Sequence, residues 1–304
     1  MAFRIGVFIC RVAAVVLLAV LAGEGRRLKG SGRWDRPQAA GDNQTVLVVD
    51  QWFVQTLDHF NGADSRVWKQ RYFVNDKFYR DGGPVFLMIG GEGPANPAWM
   101  ENGTWLLYAQ KMGALCLLLE HRFYGQSHPT PDLSTENLRF LSSRQALADL
   151  AHFRTAMGEA RGLTNSQWVA FGGSYPGSLA AWFRLKYPHL VHASVATSAP
   201  VNAAVNFPEY LEVVWRSLAS ENPECPLLVK KASDTLIQRL KDPTTFDTIT
   251  IDFNLCSALR PRSQMDSAYF LETLAGSFMD VVQYNQDNRE FEVGIGAGSQ
   301  VVPY

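Results

Sequence analysis

The sequence has no apolar stretch long enough to span a membrane, which takes about 20 residues. The best candidate, Val12–Ala22, is too short and follows two arginines, Arg4 and Arg11. This order is typical of a secretory signal peptide with small residues before a cleavage site, here at Gly23. We therefore predict a signal peptide over residues 1–22. A membrane anchor is the alternative interpretation.

An excess of charge of one sign is also absent. The 28 lysines and arginines nearly balance the 29 aspartates and glutamates, which leaves a net charge of −1. This balance argues against a nucleic acid or an anionic membrane as the main partner. There is no internal repeat or low-complexity segment, and 304 residues are enough for one large domain or two smaller ones.

Cysteine is scarce, and its spacing predicts no metal site. There are four cysteines, no Cys-x-x-Cys pair and no metal-ligand spacing among the acidic residues. Cys116 lies in an apolar run and is predicted to be a buried free thiol. Cys225 and Cys256 either pair with each other, as an oxidising compartment allows, or have partners that this chain lacks. No cofactor is expected, because the loop "GGEG" places an acid where a phosphate would sit.

Entry into the secretory pathway would allow glycosylation at two asparagines. Asn43 and Asn102 each begin an Asn-x-Thr triplet and are predicted glycan acceptors. We expect an endosomal, lysosomal or secreted protein. Residues 23–46 are polar and rich in glycine and arginine, which indicates a linker or a trimmed leader.

From residue 47 the hydrophobic pattern predicts an α/β fold. Short apolar strands such as "PVFLMI", "ALCLLLE" and "SQWVAF" alternate with helices, as in a parallel sheet covered on both faces. "SSRQALADLAHFRTAMGEA" is an amphipathic helix, capped by Ser142 or Ser143. We predict this domain over residues 47–200, a helical domain over 201–290 and a divergent, Gly-rich tail over 291–304.

The stretch "WVAFGGSYPGSLAAWF" has the order strand, Gly-x-Ser-x, helix, which is the arrangement of a nucleophile elbow. Ser174 is the candidate nucleophile on this turn; the alternative is a serine that only caps the helix. The Tyr175 N–H at the helix start is one candidate oxyanion donor, and the loop "GGEG" supplies the other through Gly91 and Glu92. Pro176 departs from the usual second glycine but suits the first turn of a helix.

Several motifs around this serine occur in a fixed order from about Gln55 to Pro200. They are "QTLDHFN", "WKQRYFVND", "GPVFLMIGGEGP", "EHRFYGQS" and "GGSYPGSLAAWFRLKYPHL". Together they resemble the serine peptidase family of lysosomal Pro-X carboxypeptidase, dipeptidyl peptidase 2 and the thymus-specific serine protease. A further segment, "MDVVQYNQDNREFE", resembles the thymus-specific branch.

The resemblance implies an α/β-hydrolase domain interrupted by a helical insertion that begins near residue 201. It also implies a serine exopeptidase or restricted peptidase of the endosomal and lysosomal route, with peptides as substrates. Members of known specificity cleave after proline.

The residues that would complete a catalytic triad are missing from their expected place. In α/β-hydrolases an aspartate and then a histidine follow the serine in the chain. No histidine occurs from Ala193 to Tyr304. His189 and His192 follow Ser174, but the intervening helix should carry them about 18 Å away at 1.5 Å per residue.

The remaining histidines and serines are weaker candidates. His121 follows a buried strand at the correct edge of the sheet, but its charged neighbours favour a structural polar cluster. Ser178 is expected to pack inside the helix, and Ser198 ends a strand without an elbow. Structural or solvated positions are expected for three histidines: His59, His128 and His152.

Two other functions therefore stay open. One is a catalytically incompetent product, either a truncated isoform or a gene fragment that lacks the triad Asp and His and leaves a sheet edge open. The lesser alternative is an esterase or lipase on the same fold. No nucleic acid and no stable membrane span is expected among the partners, and a homodimer is left open.

Overall fold

The computed structural model describes residues 48–259, 263–283 and 285. The predicted signal peptide, the linker, Asn43 and the tail over residues 291–304 lie outside the described residues. The chain divides into two compact units between Ala203 and Ala204, where the sequence predicts a boundary near residue 201. No helix in the described ranges combines the length and the apolar character that crossing a bilayer requires.

One mixed sheet of six strands organises the first unit, with strand order β1-β2-β4-β3-β5-β6. Strands β3 to β6 are mutually parallel, whereas β2 runs antiparallel to both β1 and β4. This order confirms the predicted α/β-hydrolase type of sheet. The strands are β1 (Gln51–Thr56), β2 (Val67–Asn75), β3 (Val85–Ile89), β4 (Leu115–Leu119), β5 (Trp168–Gly173) and β6 (Ala193–Thr197).

Helices connect the strands of this sheet. They are α1 (Thr104–Met112), α2 (Thr135–Leu138), α3 (Ser143–Ala160) and α4 (Tyr175–Lys186), and a 3₁₀ turn at Pro97–Met100 precedes α1. The cap of α3 is Ser142, whose Oγ accepts from the Gln145 N–H at 3.2 Å. The short α2 has no apolar period of its own and is not predicted from the sequence.

Both faces of the sheet are covered, which explains the continuous apolar strands. In β4, Leu115, Leu117 and Leu119 belong to the core cluster that includes residues of α3 and α4. Cys116 and Leu118 belong to the cluster that includes residues of α1. Because each position of β4 is buried on one face or the other, its sequence shows no alternation of polar and apolar residues.

The second unit is helical in its described residues. It contains α5 (Glu209–Glu221), α6 (Glu224–Leu240), a 3₁₀ turn at Pro243–Thr245, α7 (Phe246–Asp252) and α8 (Gln264–Gln283). Its described core cluster has four buried side chains, Leu236, Phe246, Ile249 and Phe270, and three further residues of its helices are also buried: Val214, Cys225 and Pro226. The sequence predicts the three longer helices and misses the seven-residue α7.

The cysteines of this unit do not form the pair that the sequence analysis offers as one alternative. Cys256 is exposed and free. Cys225 is buried. A Cys225–Cys256 disulfide is therefore wrong for this structure. The two side chains lie 31 positions apart in sequence, and spacing of that kind gives no information on whether two Cβ atoms meet within bonding range.

Candidate active site

Ser174 lies on the sharp turn between the carboxyl end of β5 and the first residue of α4. Its backbone has φ 59° and ψ −131°, a combination that residues with a side chain rarely adopt and that stores strain. The Ser174 N–H donates to the Thr197 carbonyl at 2.9 Å, which ties the turn to the end of β6. The serine side chain makes no capping hydrogen bond, so it does not fill the alternative role of a helix cap.

The turn closes because two glycines lie against Pro176. A Cβ on Gly172 would lie 2.1 Å from the Pro176 carbonyl oxygen, and one on Gly91 would lie 2.5 Å from Cγ of the proline ring. Only residues without a Cβ fit at these two points. Pro176 is itself acceptable in the first turn of α4, where its missing N–H has no partner inside the helix. The proline therefore belongs to this elbow, and the glycines adapt to it.

Both candidate oxyanion donors lie beside this turn. Tyr175 is the first residue of α4, so its N–H has no partner within the helix and lies at the positive end of the helix dipole. The loop with Gly91 and Glu92 follows β3, the strand next to β5. Its Gly90 N–H donates to the Leu119 carbonyl at 2.9 Å, which fixes the start of the loop on β4. The sheet order thus brings the two donor segments together.

A buried ion pair, Arg71 with Glu120, contacts the end of this loop. It was not predicted from the sequence. Arg71 Nη2 donates to Glu120 Oε1, and the same carboxylate oxygen accepts from the Ala95 N–H at 3.0 Å. Arg71 Nη2 also lies 3.4 Å from the Ala95 carbonyl. The signal was present in the sequence, since an arginine and a glutamate beside buried strands require partners. The pair fixes the end of the loop that carries Gly91 and Glu92.

His121 lies at the correct edge of the sheet but makes no hydrogen bond with Ser174. Its Nδ1 lies 2.8 Å from the Arg122 carbonyl, and its Nε2 lies 3.0 Å from the Tyr175 hydroxyl. Since a carbonyl only accepts, Nδ1 carries the proton and Nε2 accepts from the Tyr175 O–H. Burial lowers the pKa of His121 and raises that of Tyr175, so both groups are held neutral.

A second buried network surrounds Asp149 and includes two more of the histidines. Arg122 Nε and Nη2 each lie 2.6 Å from a carboxylate oxygen of Asp149. His59 Nε2 lies 2.7 Å from Asp149 Oδ1, and His152 Nδ1 lies 2.6 Å from Gln55 Oε1. These contacts join β1, the turn after β4 and α3, and give both histidines structural partners.

The histidines that follow the nucleophile lie at the other end of β5. The His192 N–H donates to the carbonyl of Trp168, the first residue of β5, whereas Ser174 follows the last one. Six strand residues separate these ends by about 20 Å at 3.3 Å per residue. His189 is exposed in the same turn, and His128 is exposed in the loop after β4.

The alternative serines are placed less favourably than Ser174. Ser178 is 1% exposed and lies within α4. Its Oγ has no hydrogen-bond partner in the described structure. Ser198 is exposed and has a positive φ of 49°, but no helix begins after it.

The remaining predictions concern a glycan acceptor, a buried thiol and the absence of a metal site. Asn102 is half-buried between the 3₁₀ turn and α1. Cys116 is a buried free thiol whose pKa burial raises to about 12. Among the described residues, no group of three or more His, Cys, Asp or Glu side chains is arranged to hold a metal ion.

A family model described as serine carboxypeptidase S28 matches residues 55–295. The thymus-specific serine protease of Homo sapiens is 43% identical over 253 residues, which cover 81% of this chain and 49% of that protein. The lysosomal Pro-X carboxypeptidase of Mus musculus is 36% identical over 221 residues, or 68% of this chain and 44% of that protein. The chain thus spans about half the length of the curated relatives it matches.

Among solved structures, the α/β hydrolase GrgF from Penicillium aligns over 59% of this chain and 54% of its own, at 18% identity and a TM-score of 0.38. The fold assignment rests on the strand order and directions described above.

Proposed function

The chain belongs to the serine carboxypeptidase S28 family, and from this membership we propose that it hydrolyses peptides through an acyl-enzyme on Ser174. In the first step the Ser174 Oγ bonds to the peptide carbonyl carbon, and its proton passes to a general base. The C–N bond then breaks and the amine leaves with that proton. Water releases the acyl group in the second step, which restores the hydroxyl.

The observation that carries this proposal is the strained turn at Ser174. The positive φ raises the hydroxyl beyond the carboxyl end of β5, where parallel sheets place their ligands. The Tyr175 N–H and the Gly91–Glu92 segment, which packs on Pro176, would share the negative charge that develops on the carbonyl oxygen. A serine that only capped a helix would need neither the strain nor the two donors.

The test is covalent labelling of the longest form of the protein that contains this chain. We expect a fluorophosphonate probe to label it, and Ser174→Ala to abolish the label. Ser178→Ala is the matched control, because it removes a buried hydroxyl four residues away that makes no hydrogen bond. It should keep the label. Labelling that survives Ser174→Ala, or that is lost only in Ser178→Ala, contradicts the proposal.

We further propose an exopeptidase that cleaves after proline, in an endosomal, lysosomal or secreted setting. The names of the relatives support this substrate class, since one is a lysosomal Pro-X carboxypeptidase. Turnover of proline-containing peptides with blocked and free termini, measured beside short acyl esters, separates an exopeptidase from an endopeptidase and from an esterase. Faster turnover of the esters would favour the esterase alternative.

A second candidate is that these 304 residues by themselves are catalytically incompetent. All six histidines lie in the described residues, and none is hydrogen-bonded to Ser174. Loss of the triad base typically lowers turnover by several orders of magnitude. We expect the isolated 304-residue chain to label at a small fraction of the rate of a longer form. Equal labelling of the two would overturn this candidate and require a base within the chain.

A further inference from the structure

The hydrogen bond between Tyr175 and His121 connects residues on either side of β3, the strand that leads into the loop with the second candidate oxyanion donor. His121 follows β4 and Tyr175 follows β5, and β3 lies between these strands in the sheet. The Gly91–Glu92 loop leaves the carboxyl end of β3. The phenol and the imidazole, 54 residues apart in sequence and 3.0 Å apart in space, therefore connect the strands on either side of that loop.

The loop also touches this bridge at its base. A Cβ on Gly90 would lie 3.1 Å from the His121 backbone nitrogen, so the loop backbone packs directly on the residue that accepts the bond. At the other end, Gly91 packs on Pro176, the neighbour of Tyr175. The backbone of His121 and the residue next to Tyr175 thus contact the segment that carries the second donor.

Burial keeps the bridge in one protonation state. It is the main cause of the lowered pKa of His121; the hydrogen bond to the Arg122 carbonyl and the Asp149 charge act to raise that pKa, and the Arg122 charge acts to lower it. The Tyr124 ring and the imidazole pack edge to face, with their ring centroids 5.3 Å apart. Burial also raises the pKa of Tyr175, and the Tyr124 and Glu92 side chains add to that effect. The donor and the acceptor are both neutral as a result.

We propose that the Tyr175–His121 hydrogen bond is a positioning device that aligns the two oxyanion donors, the Tyr175 N–H and the N–H groups of the Gly91–Glu92 loop. This inference rests on the proposed function of Ser174. Tyr175 acts through its backbone N–H, and its phenol sets where that N–H points. His121 is a positioning residue that fixes the phenol and, through Gly90, the adjacent loop. Small displacements of such donors are costly, since one oxyanion-hole donor is worth about 100-fold or more in rate.

The first test compares two tyrosines that contact the same imidazole. Tyr175→Phe removes the hydroxyl that bonds to His121, whereas Tyr124→Phe removes a hydroxyl from a ring that meets His121 by its edge. In the longest form of the protein, we expect Tyr175→Phe to lower the maximal rate of fluorophosphonate labelling about tenfold, with the probe concentration at half-maximal rate little changed. Tyr124→Phe should label at the wild-type rate. Equal rates for the two variants would overturn the proposal.

The second test measures how the rate of labelling depends on pH. A contact that only stabilised the fold would not give the dependence expected here. Protonation places a hydrogen on His121 Nε2, so the imidazole then no longer accepts from the phenol. His121→Gln retains an acceptor oxygen but does not titrate. Because burial lowers the pKa of His121, we expect the ratio of wild-type to His121→Gln labelling rates to be constant near neutral pH and to fall only where the folded imidazole protonates, below its ordinary value of about 6.5. The triad base titrates in both proteins and cancels from the ratio.

The outcomes separate this inference from the proposed function. Loss of label in Ser174→Ala, together with a slow Tyr175→Phe and a pH-dependent ratio, supports both. Loss of label in Ser174→Ala with a wild-type Tyr175→Phe rate and a pH-independent ratio overturns the positioning role alone. If Tyr175→Phe does not fold, as judged by its thermal melt, the pH dependence of the wild-type to His121→Gln ratio decides. A ratio that stays constant down to and through the pH at which folded His121 protonates, followed by NMR of its imidazole, overturns the proposal.

Discussion

The sheet unit buries charged and apolar side chains more completely than the helical unit does. In the sheet unit the side chains of Arg122 and Asp149 are 0% and 2% exposed and form a bidentate pair. In the helical unit the pair Lys230 with Asp234 is 60% and 57% exposed, and the more buried pair, Arg239 with Asp252, is 23% and 13% exposed. The sheet unit buries apolar residues on both of its faces, whereas the described cluster of the helical unit has four buried side chains.

The difference follows from what each unit must hold in place. The elbow and the loop after β3 require atoms fixed within a fraction of an ångström, and rigid elements with buried partners provide this precision. The described helices α5 to α8 carry several exposed apolar side chains and surface ion pairs, which restrain position only weakly. Substitutions of the same chemical kind should therefore have unequal effects in the two units.

The largest contrast should come from neutralising one aspartate in each unit. Asp149→Asn leaves Arg122 buried with a weakened partner and also removes the charge that faces His59. We expect the free energy of unfolding of the sheet unit to fall by about 3–5 kcal/mol. Asp234→Asn, in the exposed pair, should change the free energy of unfolding of the helical unit by about 0.5 kcal/mol or less. Urea unfolding of both variants measures this, and similar losses in the two would remove the contrast.

An added methyl group in each unit should have effects of opposite sign. Gly172→Ala would place its Cβ 2.1 Å from the Pro176 carbonyl oxygen, so we expect a loss of about 1–3 kcal/mol and of probe labelling. Gly276→Ala, within α8, has no atom within 4 Å of its Cβ and should stabilise the helix by about 0.5–1 kcal/mol. Urea unfolding and labelling of both variants test the pair. A fully labelled, stable Gly172→Ala protein would contradict the geometry of the elbow.

The smallest effect should be a histidine-dependent loss of stability between pH 7 and pH 5, which is confined to the sheet unit. The pKa of His121 is lowered in the folded state, so the unfolded chain binds its proton first. Its contribution is therefore complete above the unfolded pKa, near 6.5. It is lost as the pH falls below that value, by at most about 1.4 kcal/mol for each pH unit that separates the unfolded pKa from the folded one. No histidine occurs from Ala193 to Tyr304, so the helical unit should lack this component. Urea midpoints at pH 7 and pH 5 should differ less in His121→Gln than in the wild type.

Much of the first unit follows from local sequence, as β4 and α3 illustrate. A short run such as "LCLLL" bounded by turn residues favours a strand buried on both faces, and a serine before an amphipathic period favours a helix start, here at Ser142. The elbow was also predictable, since a strand, two glycines, a serine and a helix lie within one continuous stretch. The approach of Gly172 to Pro176 spans four residues and is set by that short turn.

What could not be predicted depends on contacts between distant parts of the chain. Glu120 meets Arg71 at a separation of 49 residues, and His121 meets Tyr175 at 54. The cysteine pair failed for the same reason, because Cys225 and Cys256 have no local pattern that fixes their distance.

The sequence alone determined the type of each long element, the class of sheet and the position of the candidate nucleophile, because hydrophobic period and turn chemistry act over neighbouring residues. The tertiary structure decided the partners of the buried charges and of His121, because the order β4-β3-β5 sets which strand ends meet, and that order arises from crossovers through helices. The candidate oxyanion loop is held by residues that follow β4 and β5 and by Arg71 within β2, and only the folded sheet brings them together.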